Sequence, residues 1–329
     1  AYIHHQQRFI RSIDGGATWT EIPLEYSDYV MNHFTDIEYD PHDPNRIIAI
    51  EENQIFLTDD GFQTYQNLMP AGYEFGLYAS INPFNTDEMF IGIDGNSVKH
   101  TLNRCQSWET VNASPTSHKA SHVGFGGPNN ECRFLVIDGR VELATEDTSM
   151  LFSFEEAMLE KVFPDKNNAN KALLSDTGNN LYFFDCQTDP VFTPIAIPDN
   201  ADTEIRQAVS DPENTGLYWI AAGNRLYTLD MESGSPNLVQ KTLSATEPIY
   251  GLIVLNDGNS KIIYIAQGSS LYKSTDEGQT WIKKAADYLG NTPIDAIAYN
   301  PMNVNQILVS QGNMLYLSQD AGESLTSLT

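Results

Sequence analysis

The chain has 329 residues, 41% of them hydrophobic, with 18 Lys plus Arg against 44 Asp plus Glu, a formal net charge of −26. So acidic a surface repels phosphate backbones and anionic headgroups, which excludes nucleic acid and the membrane surface as partners. The absence of any run of about 18 apolar residues excludes membrane insertion by this segment. The three cysteines lack the CxxC or CxxH spacing of a structural zinc site.

One phrase recurs along the chain. It opens at Ser12-x-Asp14-x-Gly16-x-Thr18-Trp19 and returns as Ser274-x-Asp276-x-Gly278-x-Thr280-Trp281. Thr58-x-Asp60-Gly61-x-x-Thr64-Tyr65 shifts the glycine by one place. Thr101-x-Asn103-x-Cys105-x-Ser107-Trp108 keeps the polar and aromatic positions, and Ser318-x-Asp320-x-Gly322-x-Ser324 ends in Leu325. A second phrase precedes these turns: a β-rich run, an Asn/Asp-Pro turn and another β-rich run, as at Asp40-Pro41, Asn82-Pro83, Asp211-Pro212 and Asn300-Pro301. Tight hairpins follow at Asp94-Gly95-Asn96, Asp138-Gly139-Arg140, Gly223-Asn224 and Gly312-Asn313.

The unit is therefore four antiparallel strands, A to D, with the aspartate turn joining C to D. Its positions are Asp14, Asp60, Asn103, Asp147, Asp185, Asp230, Asp276 and Asp320. The period of 38 to 46 residues with four strands each predicts an all-β chain, a β-propeller of eight repeats, the first incomplete. A seven-bladed ring with a displaced N-terminal piece is the alternative. One propeller domain is expected over 1–329, as part of a longer protein whose other domains are partners. Glu155–Lys161 is the one stretch expected to form a short helix.

These phrases carry a resemblance. The chain resembles the Asp-box (BNR repeat) β-propellers over nearly its whole length. That group includes sialidases, xyloglucan-cleaving double propellers, sortilin-type Vps10 domains and photosystem II assembly factors. The Asn/Asp-Pro phrase is most similar to the sortilin-type and xyloglucanase-type branches. In this group the box resembles a structural turn more than a site. The polar side chains bond the turn's own backbone, glycine permits a positive φ, and the aromatic packs between sheets.

A sialidase resemblance would imply a convergent arginine cluster. No Phe-Arg-Ile-Pro phrase supplies it, and Arg11, Arg104 and Arg133 fall on a strand, in an aspartate turn and beside an A–B loop. Photosystem assembly factors are similar in fold, but that resemblance includes a basic patch, at odds with the charge. A xyloglucanase-like glycosidase needs two acids across a cleft, and a chain with 44 acids singles out no pair. Neither phosphate loop, nucleophile elbow nor His ligand spacing occurs, so no catalytic residue, cofactor or metal is assigned.

The expected function is that of a non-catalytic extracellular or cell-surface binding and scaffolding propeller for a protein or glycan ligand. The alternative is a glycoside hydrolase of the xyloglucanase-like type. Binding is expected on the long D–A links, which carry Tyr26, Tyr29, His33, Phe34, Tyr73, Phe75, His118 and Tyr288. Tucking of several of these aromatics into the central channel as strand A begins is the competing reading. The aspartate-turn face is expected to be quiet. Cys105, Cys132 and Cys186 all fall on that face, where either a Cys105–Cys132 pair or three free thiols is expected.

Overall fold

A computed structural model describes the chain apart from residues 1, 6–7, 15–17, 25–33, 41, 52–53, 69–74, 83–84, 95–96, 112–119, 126–132, 138–139, 145–148, 153–157, 169, 186–190, 199–203, 233–234, 259, 301–302 and 329. It divides into two compact units, Ala1–Val162 and Phe163–Thr329. The architecture is an all-β propeller of four-stranded antiparallel blades.

In the first unit, sheet 1 is β1 (Tyr2–His5), β2 (Arg8–Arg11) and β3 (Thr20–Glu21). Sheet 2 is β4 (Phe34–Tyr39), β5 (Ile47–Glu51), β6 (Gln54–Thr58) and β7 (Gln66–Leu68). Sheet 3 is β8 (Phe75–Ile81), β9 (Met89–Asp94), β10 (Ser97–Thr101) and β11 (Glu109–Val111). Sheet 4 is β12 (Ala120–Phe125), β13 (Arg133–Ile137), β14 (Arg140–Ala144) and β15 (Ser149–Phe152). Sheet 5 is β16 (Leu159–Pro164), which crosses the unit boundary, then β17 (Lys171–Asp176), β18 (Leu181–Asp185) and β19 (Val191–Ile195). The second unit continues with sheet 6, made of β20 (Ile205–Ser210), β21 (Leu217–Ala222), β22 (Arg225–Asp230) and β23 (Asn237–Lys241). Sheet 7 is β24 (Ile249–Asn256), β25 (Lys261–Gln267), β26 (Ser270–Ser274) and β27 (Ile282–Lys284). Sheet 8 is β28 (Ala296–Asn300), β29 (Asn303–Gln311), β30 (Met314–Ser318) and β31 (Thr326–Ser327).

Six four-stranded blades lie wholly within one unit or the other. Eight sheets in all follow one another in chain order among the described residues. Sheet 1 has three strands, and sheet 5 takes its first strand across the boundary. The helix expected over Glu155–Lys161 is corrected at its described end, where Leu159–Lys161 belongs to β16. Leu159 and Val162 are buried there, and the strand runs into Pro164 and Asp165 as the other A strands run into their turns.

Strand position explains the sequence of each run. The second strands, such as Ile47–Glu51 and Leu217–Ala222, are buried on both faces and read as near-continuous apolar runs. The fourth strands are outer edges; Gln66–Leu68 and Asn237–Lys241 are polar and mostly exposed, which discourages pairing with another chain. Neighbouring sheets pack face to face through apolar cores, sheets 2 and 3 around Ile48, Ile50, Ala79 and Ile81, and sheets 6 and 7 around Trp219, Leu226, Ile263 and Ile265.

The A–B links are also built alike. Asp40, Asn82, Asp165 and Asp211 each donate an amide to the carbonyl six residues on, Arg46, Glu88, Lys171 and Leu217, at 2.7–3.0 Å. Their side-chain oxygens accept amides within the link, as in His42 N to Asp40 Oδ1 at 2.8 Å and Asn167 N to Asp165 Oδ1 at 2.8 Å. This is why Asn or Asp recurs there.

Candidate functional site

The five legible aspartate turns share one bonding pattern. The first hydroxyl donates to the Asp or Asn two residues on, at 2.8 Å for Ser12, Ser274 and Ser318, 2.9 Å for Thr58 and 3.0 Å for Thr101. In four of them it also accepts the amide four residues on, from Phe62, Cys105, Gly278 and Gly322, at 2.8–3.0 Å. The side chains of Asp14, Asp60, Asn103, Asp276 and Asp320 each accept an amide four residues on, at 2.9 Å. Hydrogen bonds from Thr18, Thr280 and Ser324 lead in holding Asp14, Asp276 and Asp320 at about 2, below the usual carboxylate range.

In the four turns described at these positions, two consecutive residues take the left-handed conformation: Gly61 and Phe62, Arg104 and Cys105, Glu277 and Gly278, Ala321 and Gly322. Glycine at either place lowers the cost, which accounts for the shifted glycine at Gly61. The ending aromatics pack between sheets: Trp108 between sheets 2 and 3, Trp281 between sheets 6 and 7, and Leu325 does the same between sheets 7 and 8. Trp19 is half-buried, and Gly16 lies outside the described residues.

Cys105 is a free, buried thiol, its Sγ 3.7 Å from Met89 Sδ, and burial pushes its pKa up to about 12. The expected pairing of Cys105 with Cys132 falls on a residue outside the described ones. Cys105 takes a positive φ and its side chain packs in the core of sheets 2 and 3. Cys132 and Cys186 lie outside the described residues.

Of the expected binding residues, Tyr26, Tyr29, His33, Tyr73 and His118 also lie outside the described residues. Phe75 opens β8, paired with Asp94. Tyr288 is 47% exposed on the link between β27 and β28, where its amide bonds Ala285 O at 3.1 Å. Phe34 instead stacks on Phe9 at 4.8 Å and packs against the core of sheets 1 and 2.

At the aspartate-turn end of sheets 6 and 7, sequence reasoning passed over a cavity of about 610 Å³. Glu213 and Asn214 reach it from the A–B link of sheet 6, Asp230 and Glu232 from the end of β22 and its turn, and Glu277 from the turn of sheet 7. Lys241 and Lys261 add positive charge over a base of Leu217 and Trp219. The charges are engaged. Lys261 Nζ lies 2.7 Å from buried Asp211 and 3.9 Å from Glu277, and Trp219 Nε1 donates to Asp211 at 3.1 Å. Burial alone would raise Asp211, but the bonds from Lys261, Trp219 and the Glu213 amide outweigh it and hold the carboxyl below its usual value. Lys171 pairs with Glu232, and Asn256 donates to Glu213. The Lys241 ammonium sits 5.2 Å from the Trp219 ring centroid. The only local signal is the Asp211-Pro212 turn; Lys261, Lys241 and Glu277 join it through sheet packing.

A second polar cluster lies in the first unit. His100 bonds Glu88 through Nε2 at 2.9 Å and Glu109 through Nδ1 at 2.8 Å, and its ring stacks on Phe90 at 4.3 Å. Asn82 Nδ2 donates to the other Glu88 oxygen at 2.7 Å. Among the described residues, no three His, Cys, Asp or Glu side chains are placed to hold a metal ion.

No family model matches the chain, and no curated protein matches it. Solved structures match in fold. YCF48 from Cyanidioschyzon merolae superposes with a TM-score of 0.59 at 16% identity, covering 87% of this chain and 94% of its own. YCF48 bound to D1 peptide gives 0.57 at 15% identity, over 87% and 92%. An ancestral GH74 enzyme gives 0.51 at 10% identity, over 98% of this chain and 60% of the enzyme.

Proposed function

We propose that the chain is a non-catalytic binding and scaffolding propeller that holds a protein or peptide partner, placed outside the cell or at its surface. The observation that carries this reading is the state of the acids around the 610 Å³ cavity. Glu213, Glu232 and Glu277 each face an amide or an ammonium, and Asp230 accepts the Glu232 amide at 2.9 Å. Carboxylates held in this way suit the recognition of charged and amide groups more than proton transfer. A solved complex of a fold relative with a peptide supports the reading, and the net charge of −26 favours a basic partner segment and a solvent-facing setting. The described loop aromatic Tyr288 is a second candidate contact. Kinship with the Asp-box group rests on the aspartate turns, and with its sortilin-type and xyloglucanase-type branches on the Asn/Asp-Pro links.

The test is binding of the full chain to an immobilised array of short peptides, with soluble plant and algal polysaccharides incubated in parallel. Retention of a peptide set, with no saccharide release above a heat-inactivated control, is expected. Saccharide release would replace this reading with that of a glycoside hydrolase.

A further inference from the structure

The aspartate-turn end of the second unit ties three lysines to acids. Lys171 pairs with Glu232, Lys261 with Asp211 at 2.7 Å, and Lys284 with Glu323. Lys241 differs. It is half-buried on β23 and reaches the cavity, where its ammonium lies against the face of Trp219, 5.2 Å from the ring centroid. Among the described residues it makes no ion pair, although Glu213, Asp230, Glu232 and Glu277 line the same cavity. With 44 acids in the chain against 18 bases, the want of a partner is not for lack of carboxylates.

The opposite charge left over is Glu277. Glu213 accepts from Asn256, Glu232 holds Lys171, and Asp230 accepts the Glu232 amide at 2.9 Å. Glu277, its side chain 67% exposed, has Lys261 at 3.9 Å, beyond hydrogen-bond reach. Lys241 and Glu277 are neighbours in space. A Cβ built at Gly278, the residue after Glu277, would lie 3.5 Å from Lys241 Cδ and 3.4 Å from Trp219 Cζ3. The Lys241 stem therefore runs past the turn that carries Glu277, and still the two charged heads do not pair. The indole face holds the ammonium, because an exposed ion pair offers little more than a cation–π contact does.

We propose that the cavity takes a peptide segment carrying both signs, an acidic side chain received by Lys241 and a basic one by Glu277. This rests on the peptide-binding reading of the same cavity, and adds that the partner brings an acid as well as a base. An extended segment meets the requirement with an acid and a base two places apart, since side chains at i and i+2 share a face about 7 Å apart. The acid gains a charge-assisted bond to an ammonium that has no other anion, and the base gains one to an exposed carboxylate. A purely basic segment would suit Glu277 and the net charge of −26, but would set its second cation against Lys241.

Titration calorimetry of the full chain with three peptides of equal length, blocked at both ends and carrying Glu-Ser-Lys, Glu-Ser-Glu or Lys-Ser-Lys at their centres, tests this. The mixed peptide is expected to bind about fivefold or more tighter than either of the others. Lys241→Glu should move the preference to Lys-Ser-Lys, and Glu277→Lys should move it to Glu-Ser-Glu, which a role in folding alone would not do. If Lys-Ser-Lys binds the wild type tightest, or all three bind equally, bulk charge is the attraction; the inference is then overturned while the peptide-binding reading stands. Retention of other peptides by the array, with none of these three bound, overturns it as well, and an array that retains nothing removes both. Should a variant not fold, the wild-type ranking decides.

Discussion

At the scale of single residues, the aspartate turn is a bonding device with little left over for chemistry. Ser274 shows why a hydroxyl stands first. It is buried, donates to Asp276 and accepts the Gly278 amide at 2.9 Å. Ser274→Ala leaves that amide without an acceptor and should destabilise the second unit by about 1–3 kcal/mol, read from urea unfolding. The aspartate works electrostatically. Asp14, Asp276 and Asp320 are held at about 2 against 3.8, so they contribute stability above about 3.8 that is lost as pH falls toward about 2. Asn103 fills the same role without titrating, accepting the Ser107 amide at 2.9 Å and donating to its hydroxyl at 2.8 Å. Asp276→Asn should therefore fold at neutral pH and shift the acid transition of the second unit to lower pH in a fluorescence titration. An unmoved transition would show that the carboxylate charge is irrelevant there.

At the scale of elements, the turns demand two left-handed residues in a row, and the chain meets that demand unevenly. Glycine takes one place at Gly61, Gly278 and Gly322, whereas Arg104 and Cys105 take both places without any glycine. Ala321, at φ 60°, has the smallest side chain among the non-glycine residues so placed. Its amide bonds Asn305 O at 2.8 Å and its carbonyl accepts Tyr264 OH at 3.1 Å, and both contacts survive loss of the methyl group. Ala321→Gly relieves the left-handed strain but frees the unfolded chain, leaving a net stabilisation of a few tenths to about 1 kcal/mol. A lower urea midpoint for this variant would mean that the strain is already absorbed by the neighbouring bonds. The strand-end glutamines show the same division between turn and link. Gln267 Nε2 reaches Glu247 O at 2.8 Å and Gln311 Nε2 reaches Thr292 O at 2.6 Å, so each buried amide ties the long link that leads into its own sheet.

At the scale of the whole chain, what could be read in the sequence divides by the range of the interaction. The aspartate turns were legible because all their partners lie within six residues, as Ser274 to Thr280 shows. The A–B link at Asp165 was not, because Pro164 precedes the aspartate where Asp40-Pro41 and Asp211-Pro212 put it after. The cavity was invisible for a different reason. Asp211, Lys241, Lys261 and Glu277 belong to separate strands and links, and only the packing of sheet 6 against sheet 7 brings them together. The expected quiet face therefore carries the described cavity, and Tyr288 stands on the link expected to bind. One experiment separates the two. Glu213→Gln with Lys241→Ala removes one charge of each sign from the cavity, leaving the net charge of the chain unchanged and Lys261–Asp211 in place. Tyr288→Ala removes an exposed ring. If the cavity receives the partner, the double variant should weaken binding of a captured peptide by about tenfold, or roughly 1.4 kcal/mol, with an unchanged melting temperature. Tyr288→Ala should then be within about twofold of wild type. The reverse ranking would move the binding surface to the D–A links and return the aspartate-turn face to a structural role.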